Sequence, residues 1–427
     1  MKAKFFCILA AMTAAVALTA CSSADDETAE TQKPETPEQK PDKPEGDGGE
    51  ADPAASFVES GLLLDITKNE TYQPEEFATA LANSPILASY GDQIGDVMKL
   101  IEPVFKLQVN ARVPKMDDLF EDEVGLDPTG QQQWQVESYL FHYKTTTPAG
   151  KDTVYLGRVT FPNNTVEGVN HEVKNLTLHS HQATYEAAWL PSKSLSMMTL
   201  HALANSAVIE PDYDEVDGNL MQVILAYING DNISKVGWDC VEAALDVMHQ
   251  HGVHLAKDGY LNNWGSSLGM PVTMGICTYY EDKASDELKK KAPLHETFAG
   301  EGITQVSQVH MQADGARQMK VAKQGRFGPT DYSYVSGWEP KLPVFMACSP
   351  YDSFISYDAL KAYYEELRLN ADGTVNPLVH WIDVPVVKSS MSPKVGGTHF
   401  VAATLVLLYM SCADEPHDMV ELLKNSN

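Results

Sequence analysis

The chain has 427 residues, of which 43% are hydrophobic and 21% are charged, and its formal net charge at pH 7 is −28. This composition is typical of a globular protein, and the length is enough for one large domain. The negative charge argues against nucleic acid and anionic lipid headgroups as partners because both would be repelled.

The amino terminus has the features of an export signal. A start with two lysines precedes the apolar run 5–17, which is too short to span a bilayer. The signal closes on Leu-Thr-Ala-Cys at residues 18–21, which resembles the lipobox of bacterial lipoproteins. The resemblance implies that residues 1–20 are removed and that Cys21 carries a lipid, the protein's only attachment to the membrane. The alternative is an ordinary cleaved signal with a chance cysteine.

Residues 21–55 are rich in Glu, Asp, Pro, Lys and Gly and nearly free of large apolar side chains. Such a segment buries too little apolar surface to offset its ordering entropy, so we expect a disordered acidic tether. The acidic run 25–27 is similar to surface-export signals of some Bacteroidota lipoproteins, although a solvated charge run is an equal alternative. The expected location is the bacterial cell envelope, at the outer membrane on its periplasmic or cell-surface face.

The rest of the chain, 56–427, is predicted to form one domain. Residues 56–132 are expected to be a helical lead-in, since 74–81 and 94–109 have apolar residues at helical spacing. The core then begins at 133 with a β-hairpin, and strands and helices alternate after it. The predicted strands are 136–143, 153–161, 175–179, 206–210, 260–264, a short one near Phe298, 343–348 and 378–383. The predicted helices are 236–251, 270–277, 357–367 and 400–410. This order predicts an α/β fold with a mostly parallel sheet that helices cover on both faces.

Four cysteines lie in apolar segments of this domain, with no Cys-x-x-Cys pair among them. An exported protein can form disulfides. We nevertheless favour buried free thiols for all four: Cys240, Cys277, Cys348 and Cys412.

The pattern Gly-Ser-Ser-Leu-Gly at residues 265–269 lies between a predicted strand and a predicted helix. A serine flanked by glycines two residues away on each side, in this setting, indicates a nucleophile elbow with Ser267 as its nucleophile. The flanking positions must be small because strand and helix approach closely. A chain of this size produces Gly-x-Ser-x-Gly by chance about one time in ten, so partner residues are needed.

Two downstream residues can complete a catalytic triad. Asp352 follows the strand 343–348, at the end of the strand where sites form in open α/β sheets. His399 ends a Gly-Gly-Thr-His sequence before an apolar helix. The alternatives are that Asp352 is a turn residue and that His399 is structural; Asp358 is interpreted as a helix cap.

From about residue 133 to its end, the chain resembles α/β-hydrolases, closest to secreted lipase/esterase and prolyl-oligopeptidase-like members. The elbow, Pro-Tyr-Asp at 350–352, Gly-Thr-His at 397–399 and the leading hairpin carry the resemblance. Residues 209–213 also resemble a Pro-Asp-Tyr stretch of secreted lipases. The resemblance implies that Ser267 is the nucleophile, Asp352 the acid partner and His399 the general base, in the chain order of this fold.

The oxyanion hole is expected to combine the backbone N–H of Leu268 with one from the loop after the third strand, from Gln182 or Ala183. A His-Gly pair is common there in the family, but here His181 is followed by Gln182. His181 is either functional or a brace for the loop. The nearby histidines 179, 181 and 201 could together bind a metal, but the proposed chemistry does not require one, and we expect neither a metal nor another cofactor.

The hypothesis is therefore an exported, lipid-anchored serine hydrolase that cleaves a small-molecule or lipid acyl ester through an acyl-enzyme. An insertion at about 300–338 is expected to form a cap over the site. One alternative is a peptidase of the prolyl-oligopeptidase type, although the region before the hairpin is too short for a propeller of about 40 residues per blade. A non-catalytic binding lipoprotein on a hydrolase scaffold is the third possibility.

Overall fold

In the part of the chain that this computed structural model describes, nine strands form one sheet. The structure describes residues 57–85, 134–147, 150–165, 170–182, 188, 190–212, 230–300, 302, 338–350, 352 and 355–383. Within these ranges no helix is both long enough and apolar enough to cross a bilayer.

The strands are β1 Leu63–Tyr72, β2 Trp134–Thr146, β3 Asp152–Asn164, β4 His171–Ser180, β5 Ser206–Pro211, β6 Val253–Ser266, β7 Leu294–Gly300, β8 Val344–Cys348 and β9 Val379–Asp383. The α-helices are α1 Pro74–Ala82, α2 Gly230–Gln250, α3 Gly269–Asp282, α4 Asp286–Lys291 and α5 Tyr357–Leu367. A 3₁₀ helix spans Met197–Ala204.

The strand order is β1-β2-β3-β5-β4-β6-β7-β8-β9. The pairs β1–β2, β2–β3 and β3–β5 are antiparallel, and every pair from β5–β4 to β8–β9 is parallel. The predicted α/β fold with a mostly parallel sheet is thus confirmed. The parallel strands end at one edge of the sheet, which we call the carboxyl edge.

Helices α2 and α3 pack on one face of the sheet, and the 3₁₀ helix packs against β3 and β5. The Trp238 indole on α2 donates a hydrogen bond to the Ile276 carbonyl on α3 at 3.1 Å. A Cβ on Gly237 of α2 would lie 2.5 Å from the Ile276 side chain of α3, so the two helices pack closely there. The α2–α3 layer therefore buries the apolar side of the central strands.

The predicted helical lead-in is partly wrong. Helix α1 forms where it was expected, but Leu63–Tyr72 is a strand that pairs antiparallel with β2. All ten residues of β1 are at least partly exposed, so the alternation of apolar and polar residues that marks a half-buried strand is weak. The predicted signal, tether, 94–109 helix and 400–410 helix, and nearly all of the cap, lie outside the described residues.

The other predicted strands and helices of the core that fall within the described residues are present in the structure as the predicted element types. Helix α5 has the predicted bounds, whereas β4 and β6 begin earlier than expected. Asp358 is not the cap of α5: Ser356 is, with its hydroxyl accepting from the Ala359 N–H. Cys240, Cys277 and Cys348 are buried free thiols, as predicted, and Cys412 lies outside the described residues.

Candidate active site

Ser267 occupies the turn between β6 and α3 and has a left-handed backbone, with φ of 56°. Few residues other than glycine adopt this conformation, because Cβ crowds the following carbonyl. The turn is held on both sides: the Ser267 N–H donates to the Gly300 carbonyl of β7 at 2.9 Å, and the Met270 N–H donates to the Ser267 carbonyl at 3.2 Å. This is the strained strand-to-helix turn that the sequence pattern predicts.

The glycines around the turn are required by close packing. A Cβ on Gly265 would lie 2.6 Å from the Gly269 carbonyl oxygen, and a Cβ on Gly269 would overlap the Ser180 carbonyl oxygen. After β7, a Cβ on Gly302 would lie 2.5 Å from the Ser267 carbonyl oxygen. The elbow therefore contacts the ends of both neighbouring strands, β4 and β7, with no room for side chains.

The structure distinguishes the two adjacent serines of the pattern. Ser266 is the last residue of β6 and is fully buried. Ser267 is partly exposed. Only the second serine thus combines partial exposure at the carboxyl edge with the left-handed backbone of an elbow.

The predicted oxyanion residues lie on both sides of the contact between Gly269 and the Ser180 carbonyl. Leu268 precedes the first residue of α3, and Gln182 lies two residues after the end of β4. Because Gly269 contacts the Ser180 carbonyl, the loop that carries Gln182 starts directly against the elbow helix. Ala183, the other candidate donor, lies outside the described residues.

His181 has the geometry of a brace for the loop. Burial lowers the pKa of His181 to about 4, so the ring is neutral at pH 7. Its Nδ1 lies 2.7 Å from the Gln182 carbonyl oxygen, which can only accept, so Nδ1 carries the hydrogen. This bond holds the peptide unit that follows Gln182.

Asp352 lies four residues beyond β8, at the carboxyl edge, and is 4% exposed. Its Oδ1 accepts a hydrogen bond from the Ile355 N–H at 2.7 Å, and its own N–H donates to the Ser349 carbonyl at 3.1 Å. The carboxylate is therefore fixed within a turn. His399 lies outside the described residues, so the assignment of the triad stays a prediction.

A buried pair next to the elbow was missed by sequence reasoning. His179, one residue before the end of β4, lies with its Nδ1 2.7 Å from Oε1 of Glu210 on β5, and the two side chains are 6% and 0% exposed. Burial by itself would raise the pKa of Glu210. Contacts with neighbouring groups, of which the hydrogen bond from His179 is the largest, outweigh burial and hold this pKa below its usual value. Glu210 is thus ionised, and His179 Nδ1 donates.

Arg158 extends this network along the sheet. The guanidinium is 2% exposed and donates to the Pro191 carbonyl at 2.6 Å, to the Ser138 hydroxyl at 2.7 Å and to Glu70 Oε2 at 3.1 Å. Its charge also contributes to the lowered pKa of Glu210. A signal for the network was present in the sequence, since Arg158 and Glu210 are charged residues within otherwise apolar strand segments.

Another histidine of the same region is held neutral. Nδ1 of His201 lies 3.1 Å from the Thr177 hydroxyl, and its ring meets the Trp264 ring edge-on at a centroid distance of 4.8 Å. Burial lowers the pKa of His201 to about 3. Within the described part of the chain, no group of three or more His, Cys, Asp or Glu side chains is arranged to hold a metal ion.

Neither a protein-family model nor a curated protein matches this sequence. A similar solved structure is the rice cell wall degrading esterase LipA of Xanthomonas oryzae: 11% identical, TM-score 0.45, covering 80% of this chain and 96% of that one. Another is lipase A of Candida antarctica in its closed state: 12% identical, TM-score 0.37, covering 59% of this chain and 73% of that one. The strands of this chain themselves define the fold: the order β2-β3-β5-β4-β6-β7-β8-β9 is that of the α/β-hydrolase sheet. The predicted resemblance is therefore confirmed for the fold.

Proposed function

We propose that the protein is a serine hydrolase that cleaves carboxylic esters through an acyl-enzyme. The observation that carries this proposal is Ser267 itself, a partly exposed serine with φ of 56° in a turn pressed between two strand ends. A left-handed backbone costs an L-residue about 1–2 kcal/mol. Strain of this kind is concentrated at functional sites, where the surroundings impose it.

In the proposed reaction, Ser267 Oγ attacks the acyl carbon while His399 takes its proton. The tetrahedral oxyanion accepts hydrogen bonds from the backbone N–H groups of Leu268 and Gln182. The intermediate then expels the alcohol, which receives the proton from His399, and Asp352 orients the imidazole and stabilises its charge. Water next attacks the acyl-enzyme, with His399 as base, and releases the acid and the free serine.

The neighbouring serine provides a matched control for the test. Ser267→Ala should lower the turnover of p-nitrophenyl butyrate by at least about 10³-fold, because the nucleophile is gone. Ser266→Ala removes a hydroxyl from the adjacent buried position and should keep most of the activity. Retained turnover in Ser267→Ala, or its loss only in Ser266→Ala, would overturn the proposal.

A substrate panel separates the ester hydrolase from a peptidase. The wild-type protein should hydrolyse p-nitrophenyl acyl esters and leave aminoacyl p-nitroanilides largely intact. Preferred cleavage of the anilides would replace the ester hydrolase with the peptidase.

The proposal includes a lipid anchor at Cys21 that holds the enzyme at the bacterial outer membrane. The support is the apolar run 5–17 followed by Leu-Thr-Ala-Cys and a polar, Pro-rich tether. In a Gram-negative host, Cys21→Ser should move the protein from the membrane fraction to the soluble fraction and abolish labelling by radioactive palmitate. Unchanged fractionation of this variant would contradict the anchor.

A further inference from the structure

The His179–Glu210 pair has no part in the proposed chemistry, yet it lies next to the elbow. Parallel pairing places Leu178 of β4 opposite Ile209 of β5, so His179 and Glu210 are the next positions along the two strands. On its other side β4 pairs with the elbow strand, His179 opposite Trp264. The pair therefore connects β5 to the strand that runs alongside the elbow.

Beyond His179, β4 has one more residue before the loop begins. Ser180 lies opposite Gly265, and its carbonyl is in the contact that only a glycine at 269 allows. Gln182, with its proposed oxyanion N–H, follows two residues later. A displacement of the end of β4 would consequently change the position of this N–H relative to Ser267.

The pair is suited to fix the end of β4. Both side chains are buried, and a charge-assisted hydrogen bond is shorter and stronger than a neutral one. Removing His179 leaves the Glu210 carboxylate without this donor in the interior, which is unfavourable and promotes a local rearrangement. Arg158, whose guanidinium lies near Glu210, also contacts Glu70, so it is not available to replace His179 without moving.

We propose that His179 and Glu210 are positioning residues that set the location of the Gln182 N–H, and with it the strength of the oxyanion hole. The inference rests on the proposed ester hydrolase function. Neither residue is assigned a contact with substrate; both act through the backbone at the end of β4.

The same strand offers a matched control. His171, the first residue of β4, is 2% exposed, and its Nε2 lies 2.8 Å from Oδ1 of buried Asn205. His171→Ala therefore removes a buried, hydrogen-bonded histidine from the opposite end of the strand. It should cost stability, as His179→Ala should, without displacing the oxyanion loop.

The test measures ester kinetics, the rate of Ser267 phosphonylation by a fluorophosphonate, and amide hydrogen exchange of peptides covering 180–182, at a temperature where every variant is folded. His179→Ala should lower kcat and the phosphonylation rate about 10- to 100-fold with little change in KM, because the oxyanion contact forms only in the transition state. His179→Asn places an amide N–H near the position of Nδ1–H and should restore much of the rate. Exchange at 180–182 should rise in His179→Ala and not in His171→Ala.

Glu210→Gln is the variant to use if His179→Ala fails to fold, because glutamine keeps the shape of the side chain and an acceptor oxygen. Its rate should lie between those of the wild type and His179→Ala. A folded His179→Ala that reacts at the wild-type rate would overturn the inference, as would equal slowing in His171→Ala. If the wild-type protein is not phosphonylated at Ser267, the proposed function fails instead, and hydrogen exchange still decides whether the pair holds the end of β4.

Discussion

The left-handed backbone of Ser267 makes a thermodynamic prediction that does not depend on the substrate. With φ of 56°, an L-residue at this position carries about 1–2 kcal/mol of strain, from which glycine is exempt. Glycine costs about 0.5–1 kcal/mol more than alanine in backbone entropy on folding. The difference, about 0–1.5 kcal/mol with a centre at ~0.75 kcal/mol, predicts that Ser267→Gly is more stable than Ser267→Ala, although both lack the nucleophile.

The assay is equilibrium unfolding in urea of the two variants, followed by fluorescence. Comparing glycine with alanine cancels the loss of the hydroxyl, which both share. Position 266 is the control, because Ser266 lies in β6 and is not among the left-handed residues. There Ser266→Gly should be less stable than Ser266→Ala, by about 0.5–1 kcal/mol.

The sign of the difference should therefore reverse between two adjacent residues. If glycine destabilises at 267 as it does at 266, the turn is not strained in solution. The main structural support for a nucleophile elbow would then be lost.

Three further predictions follow from packing and charge. Gly269→Ala should lower ester turnover by at least about 10-fold, because its Cβ overlaps the Ser180 carbonyl and displaces the oxyanion loop; wild-type kinetics would refute this contact. Burial raises the pKa of Cys240 and of Cys277, so mass mapping after iodoacetamide treatment of the native protein should find both unmodified, and labelling of both only after denaturation. Burial lowers the pKa of His201 from 6.5 to about 3, so only the unfolded chain takes up this proton between those values. The free energy of unfolding should thus fall by about 1.4 kcal/mol for each unit by which the pH is lowered through that window on account of this group, and His201→Gln should flatten the urea-derived profile by that amount.

The sequence predicts most of the sheet because buried elements have strong local patterns. Helix α5 shows apolar residues at helical spacing and has the predicted bounds, and the elbow has a fixed spacing of glycines around Ser267. The prediction for β1 is wrong because this edge strand is stabilised by backbone pairing with β2, while all of its side chains stay at least partly exposed.

The site was less accessible to sequence reasoning, for a physical reason. His179 and Glu210 are 31 positions apart, and only the register of β4 against β5 brings them together. The helix cap shows the same limit at short range: Ser356 and Asp358 are both suitable capping residues, and the backbone at the start of α5 decides between them. The chain order of Ser267, Asp352 and His399 agrees with a triad, while their mutual contact depends on loops whose shape no local pattern specifies.

The most direct test of the central claim is peptide mapping of the wild-type protein after reaction with a fluorophosphonate. The account predicts one adduct on the Ser267 side chain, formed at least about 10³-fold more slowly in His399→Ala. An adduct on another residue, no adduct at all, or undiminished labelling of His399→Ala would contradict it.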